Sequence, residues 1–334
     1  MNIVTKMKLF DCSMRDGGYV NNWYFTKEHA RACYNAVKDC GVEYCEIGFR
    51  RKEHTNGPWF YTPETLVNET FDDIVIPECK LAVMAQMGTF TIDDFVPKSE
   101  SLISMVRVLI AYHCKNKDDS KLDVELIQET VDMCKKLKEL GYEVSINIGR
   151  IDKMNDGQIQ ETCEIINDAP IEYFYLADTY GNLGIYKMRS ILDSVKKYFN
   201  GSIGFHAHDN LKNASVKAID ALYNGADIVD VTFGGFGRGS GNAISEYVLA
   251  HMENKGDYKL LPALVYSGKW VESYKKSGIP YLLSGMMSMH VNYAIEVIEK
   301  HENVSIEKVY EVFNKIVKHG KHHFYSSDVL TQYM

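Results

Sequence analysis

His206 and His208, one residue apart in the run Gly204-Phe205-His206-Ala207-His208-Asp209-Asn210, are the strongest chemical signal in this chain. Residues i and i+2 of a strand share a face, so both imidazoles project one way if Phe205 and Ala207 project the other. Two neutral imidazoles and a carboxylate make a common divalent-metal site that keeps positions open for substrate. Asp16 is the best carboxylate, because it closes the polar run Asp11-Cys12-Ser13-Met14-Arg15-Asp16-Gly17-Gly18 after a first strand pattern. Two more polar clusters, Ala177-Asp178-Thr179-Tyr180-Gly181 and the glycine-rich stretch from Gly234 to Asn242, follow other apolar runs. A lone His-x-His is weak evidence; its place at a strand end beside such clusters favours a metal.

The elements that must position these groups alternate in type. Short apolar or β-branched runs fall at Met7–Cys12, Tyr44–Gly48, Lys80–Ala85, Met105–Ala111, Glu143–Ile148, Tyr173–Ala177, Ile203–His208 and Ile228–Phe233. Their nearly continuous apolar content is that of strands covered on both faces. Amphipathic stretches lie between them, such as Val124–Leu140, which carries apolar residues at helical spacing and stops before Gly141. Gly41 and Gly225 follow Ala32–Cys40 and Ala214–Asn224 in the same way. Eight β-then-α units predict a (β/α)₈ TIM barrel, whose active site gathers at the C-terminal strand ends. A doubly wound open sheet is the rival, weakened by the lack of a Gly-x-Gly-x-x-Gly after strand one. We place the barrel at residues 1–256 and a small helical domain at 257–334, with helices over Met286–Lys300 and Ile306–Lys318. The basic run Lys318–His323 is read as a solvated helix end rather than a metal or anion site.

Composition narrows the function. The 334 residues are 46% hydrophobic and 25% charged, as in a soluble globular protein. A net charge of −8 gives no general attraction to nucleic acid or anionic membrane. The eight cysteines form no Cys-x-x-Cys pair, which predicts scattered, reduced, buried thiols. No apolar run approaches the ~20 residues that span a bilayer, and Met1–Leu9 lacks the pattern of a signal peptide. A cytoplasmic location is the expectation.

Four motifs in order, DCSMRDGG (11–18), LADTYGNL (176–183), GFHAHDN (204–210) and GRGSGNA (237–243), resemble those of the metal-dependent pyruvate aldolase and acyl-transferase (DRE-TIM metallolyase) superfamily. That superfamily includes 4-hydroxy-2-oxovalerate aldolase, isopropylmalate synthase and hydroxymethylglutaryl-CoA lyase. The barrel resemblance covers roughly residues 7 to 255, and the tail 281–300 is more loosely similar to the helical region of the aldolases. The resemblance implies that Asp16, His206 and His208 hold a divalent metal, manganese first, with magnesium, zinc or cobalt as alternatives. Asn242 matches a ligand of some branches, with helix capping as the competing reading. Arg15 matches the arginine facing an enolate oxygen, Thr179 a contact to the substrate carboxylate, and Glu46 a polar position behind the ligands. His206 and Asp16 also match positions beside the substrate.

The chemistry so implied is carbon–carbon lysis. A 2-oxo acid chelates a divalent cation through ketone and carboxylate, and the cation stabilises the enolate formed as the bond breaks. The substrates would be a 4-hydroxy-2-oxo acid on one side, pyruvate and an aldehyde on the other. Two positions depart from the aldolase pattern: Tyr19 stands where those enzymes carry histidine, and Met287 where they carry an assisting tyrosine. Tyr19 is the candidate for proton transfer, placed in a glycine-permitted turn; a phenol, ordinarily ionising near pH 10, needs a neighbouring cation such as Arg15 or the metal. A Claisen-type acyl-CoA transferase or lyase, and a non-catalytic metal-binding relative, are the alternatives. The basic and aromatic loop from Phe49 to Tyr61 either holds a substrate anion or is a solvated loop with an aromatic anchor. A homo-oligomer is expected from the apolar tail, and the resemblance adds an aldehyde dehydrogenase as a partner.

Overall fold

Alternation along eight short strands sets the architecture of this computed structural model, which describes residues 7–252, 257–271, 279–301 and 304–334. The strands are β1 (Lys8–Asp11), β2 (Tyr44–Phe49), β3 (Lys80–Gln86), β4 (Ile103–Ile110), β5 (Glu143–Ile148), β6 (Tyr173–Asp178), β7 (Ile203–Ala207) and β8 (Ile228–Val231). Each pairs in parallel with the next, and β1 pairs with β8, so the sheet closes into a (β/α)₈ barrel. Closure leaves no edge strand with unpaired backbone groups.

Successive inward side chains build layers. Phe10, Tyr44, Ala82, Met105, Tyr173, Tyr175 and Ile228 fill the lower barrel. Gly204 on β7 leaves room there, since a Cβ would lie 2.5 Å from the Tyr175 ring. Two residues further along their strands, Glu46, Arg107, Asp230 and His206 turn the next layer polar, and all are buried. Outward residues such as Val83, Val106, Val144 and Ile146 join one large core with the surrounding helices. The helix Val124–Glu139 shows how the boundaries arise: the Asp123 side chain accepts from the Leu126 amide, and Gly141 leaves at φ 92°.

Beyond the barrel, the helix Leu261–Trp270 packs on Lys27–Asp39, and the Tyr266 hydroxyl meets His29 Nε2 at 2.7 Å. The helices Val291–Lys300, Ile306–Lys318 and Ser327–Tyr333 gather a second core around Tyr293, Val297, Val312, Phe313 and Ile316. One helix over 286–300 was expected; two are found, ending at Met286 and starting at Val291. Ser288 takes φ 52°, and the His290 ring accepts from the Asn292 amide, so that side chain starts a new helix. The solvated reading of Lys318–His323 also needs correction. Residues 318–321 are exposed, but His322 and His323 are half-buried, and His323 stacks on Tyr180 above the barrel. No helix among the described residues is long and apolar enough to cross a membrane. All eight cysteines are unpaired and buried.

Candidate metal centre and active site

Asp16 and Arg15 do not sit in a turn. They lie on the helix Ser13–Asn21, whose first turn begins as β1 ends. Gly17 and Gly18 belong to this helix with ordinary negative φ, which corrects the expected glycine turn. What requires glycine is close approach: a Cβ on Gly17 would lie 2.1 Å from the Phe236 ring, and one on Gly18 2.1 Å from Trp23 Nε1. These contacts pin the helix over the barrel mouth and fix where Asp16 points.

A carboxylate oxygen of Asp16 and ring nitrogens of His206 and His208 lie within 4.8 Å of one another. His208 falls one residue past β7, in an antiparallel bridge with Asn242. The two Nε2 atoms face each other at 3.4 Å. His206 Nδ1 donates to Asp230 Oδ2 at 2.8 Å, which leaves a lone pair on Nε2. One proton or one cation must therefore occupy the space between the rings. Burial, then His206, press His208 down to about 3, so it is neutral at physiological pH. Burial alone would raise the Asp16 carboxyl, but Arg15, His208, His206 and the Asn242 amide outweigh it and hold the carboxyl below the usual range. Asn242 Nδ2 donates to Asp16 Oδ2 at 2.5 Å, and its buried Oδ1 has no partner among the described residues. It caps no helix. Two imidazoles, a carboxylate held below its usual range and an orphaned amide oxygen form a donor set that fits a divalent cation.

Beneath these groups runs a chain of buried charges. Arg15 Nε donates to Glu46 Oε2 at 2.7 Å, and Arg107 Nη1 donates to the same oxygen at 3.1 Å. Arg107 Nη2 donates to Asp230 Oδ2 at 2.8 Å, the oxygen that also receives His206. Its guanidinium lies 4.1 Å from the Phe10 ring centroid and 4.2 Å from that of Tyr175. Arg15 Nη1 bonds Asp16 Oδ1 at 2.5 Å, leaving Nη2 unpartnered among the described residues. Sequence reasoning placed Glu46 behind the ligands but missed Arg107 and Asp230. Charged residues inside otherwise apolar strands were the available signal.

A cavity of about 280 Å³ opens on this centre. Arg15, Asp16, Tyr19, Thr179, His206 and His208 all line it, so six of the seven expected site residues share one space; Asn242 lies behind Asp16. Thr179 Oγ1 accepts from the Arg150 amide at 2.7 Å, which frees its own proton to donate. Asn147 Oδ1 accepts from Ser145 at 2.8 Å, which frees its amide hydrogens. Tyr19 is 39% exposed and packs edge-on against Trp23. The arginine over its ring is Arg238 at 5.2 Å, while Arg15 is engaged by Asp16 and Glu46. Of the loop after β2, Arg50 turns inward to Glu64, Arg51 stacks between Phe49 and Phe60, and Trp59 is buried. Its two arginines are held by protein groups. Arg150, Arg238, His290 and Asn292 also line the cavity and were not foreseen. His290 and Asn292 come from the helical segment, which no local pattern connects to the barrel mouth.

The family described as HMGL-like matches residues 6–267. The 4-hydroxy-2-oxovalerate aldolase of Bacillus thuringiensis is 27% identical over 258 residues, 76% of this chain and 71% of that protein. The oxaloacetate decarboxylase of Mycobacterium tuberculosis is 24% identical over 259 residues, 74% of this chain and 70% of that one. Among solved structures, the N-terminal domain of a putative aldolase from Bacteroides vulgatus superposes with a TM-score of 0.72 at 26% identity, covering 89% of this chain and 98% of that chain.

Proposed function

Because the chain belongs to the HMGL-like family, we propose that it is a divalent-metal-dependent lyase that breaks a 4-hydroxy-2-oxo acid into pyruvate and an aldehyde, or joins them. The observation that carries this reading is the Asp16, His206 and His208 donor set, within 4.8 Å, beside the unpartnered Nη2 of Arg15. A bound divalent cation would polarise the 2-oxo group and stabilise the enolate.

The protein's own groups do the rest. Thr179 and Asn147 donate to the carboxylate of the 2-oxo acid. Arg15, held by Glu46 and Asp16, aims a permanent charge at the oxygen on which negative charge develops. Tyr19, on the same helix turn, accepts the C4 hydroxyl proton as the C3–C4 bond breaks, and the bonding pair becomes the enolate. Arg238 lies over the Tyr19 ring, with Cζ 5.2 Å from the ring centroid. Protonation of the enolate at C3 completes pyruvate. Oxaloacetate yields the same enolate by losing carbon dioxide.

The test supplies 4-hydroxy-2-oxovalerate and oxaloacetate to protein stripped by chelator and then reloaded with Mn²⁺, Mg²⁺, Zn²⁺ or Co²⁺. Pyruvate release that disappears on stripping and returns with metal supports the reading. Thiol release from acetyl-CoA with a 2-oxo acid, without lyase activity, favours the acyl-transferase alternative.

A further inference from the structure

Resting on that reading, we propose that the aldehyde carries an anionic group, held by Arg238 together with the Nε2–H of His290. Three arginines and one acid, Asp16, line the cavity. Arg15 is ion-paired with Asp16 and Glu46, and Arg150 with Asp119 at 2.6 Å. The deeply buried Arg50 and Arg107 have carboxylates as well. Arg238 has none among the described residues. Its Nη2 reaches only the neutral Asn292 Oδ1, at 2.6 Å, and its Cζ lies 5.2 Å from the Tyr19 ring. A permanent cation lining this cavity without a counter-charge is a receptor for an anion.

Its position separates it from the 2-oxo acid carboxylate. Thr179 follows β6 and is tied to Arg150, whereas Arg238 follows β8, beside Tyr19. Gly237, the residue before it, lies so close to the metal donors that a Cβ there would stand 3.0 Å from Asp16 Oδ2. Arg238 thus borders the side of the cavity where Tyr19 would handle the C4 hydroxyl. His290 adds a neutral donor: its Nδ1 accepts the Asn292 amide at 3.2 Å, so the ring proton resides on Nε2, which has no partner among the described residues. Burial, with Arg238 and Arg150 nearby, holds this imidazole down to about 3, and it remains a neutral donor at physiological pH. A carboxylate and a phosphate both suit this pair.

The experiment measures pyruvate addition to succinic semialdehyde against butanal, and to glyceraldehyde 3-phosphate against glyceraldehyde, with saturating metal. At least one anionic aldehyde should exceed its neutral counterpart by about 10- to 100-fold in kcat/KM, the scale of one charge-assisted contact; which one does identifies carboxylate or phosphate. In Arg238→Met that preference should collapse toward unity, and Arg238→Lys should keep part of it. A barrel merely disturbed by the substitution would lose both aldehydes alike. Equal rates for charged and neutral aldehydes in the unaltered protein would overturn the proposal while leaving the lyase reading intact. A rise in pyruvate KM in Arg238→Met with the anion preference preserved would also overturn it, by moving Arg238 to the 2-oxo acid. Absence of all addition, with no proton exchange into pyruvate, would instead fail the lyase reading.

Discussion

Asp230→Asn is the sharpest probe of how the barrel interior prepares the metal centre. A single oxygen, Oδ2, receives both Arg107 Nη2 and His206 Nδ1 at 2.8 Å, while Oδ1 has no partner. An asparagine with its oxygen in that place keeps both acceptor contacts and almost the same volume, so the change removes charge and little else. Arg107 then retains only Glu46, at 3.1 Å, which it shares with Arg15. Breaking a buried pair by removing one partner costs about 3–5 kcal/mol. Because the acceptor contacts survive, the expected loss falls below that range, at about 2–3 kcal/mol of unfolding free energy. His206 also loses the carboxylate that fixes its tautomer and ring orientation, a change that typically weakens metal binding about 10- to 100-fold. Urea unfolding of metal-free protein and calorimetric Mn²⁺ titration read the two effects separately. Arg107→Met in the same background should cost less than the sum of the single changes, by about 0.5–3 kcal/mol, because the residues share one network. Unfolding within about 0.5 kcal/mol of the unaltered protein, the range of an ordinary surface change, together with unchanged Mn²⁺ affinity, would refute this account of the layer.

Gly17→Ala drives a Cβ to 2.1 Å from the Phe236 ring, so thermal unfolding should show a loss of about 1–3 kcal/mol. His29 is buried against Tyr266, and desolvation lowers it to about 4, below the ordinary 6.5. Its contribution to stability is complete above pH 6.5 and is lost as pH falls toward 4, about 2 kcal/mol by pH 5. His29→Gln should flatten that part of the stability–pH curve; an unaltered slope would show that another group sets it. Tyr19→Phe should lower turnover by about 10²–10⁴ with Mn²⁺ affinity unchanged, and near-normal turnover would move the proton-transfer role to another residue.

Much of the barrel was legible because strands covered on both faces read as unbroken apolar runs, as Lys80–Gln86 does. The strand ends then marked where polar residues converge, which brought Asp16 together with the His206 and His208 pair from two distant segments. Glycine misled at Gly17 and Gly18, where flexibility suggested a turn; the actual constraint is the approach of Phe236 and Trp23, and that lies in tertiary packing. His290 and Arg238 were invisible for a related reason. They are 52 positions apart in the numbering, and nothing local places a helix cap over the loop after β8. The composition of the loop after β2 allows either an anion site or a solvated loop with an aromatic anchor; in the structure Glu64, Phe49 and Phe60 claim its arginines. Charge counts do not reveal which cations already have partners.

The central claim is that this barrel mouth makes an enolate from pyruvate with the help of a cation held by Asp16, His206 and His208. Proton exchange at the pyruvate methyl group in deuterated water, followed by NMR, tests it without any choice of aldehyde. Exchange should require Mn²⁺ or Mg²⁺, vanish on chelation, and be absent from a His206→Ala/His208→Ala protein that retains its fold. Exchange at full rate in that double variant, or none in the metal-loaded unaltered protein, would contradict the account.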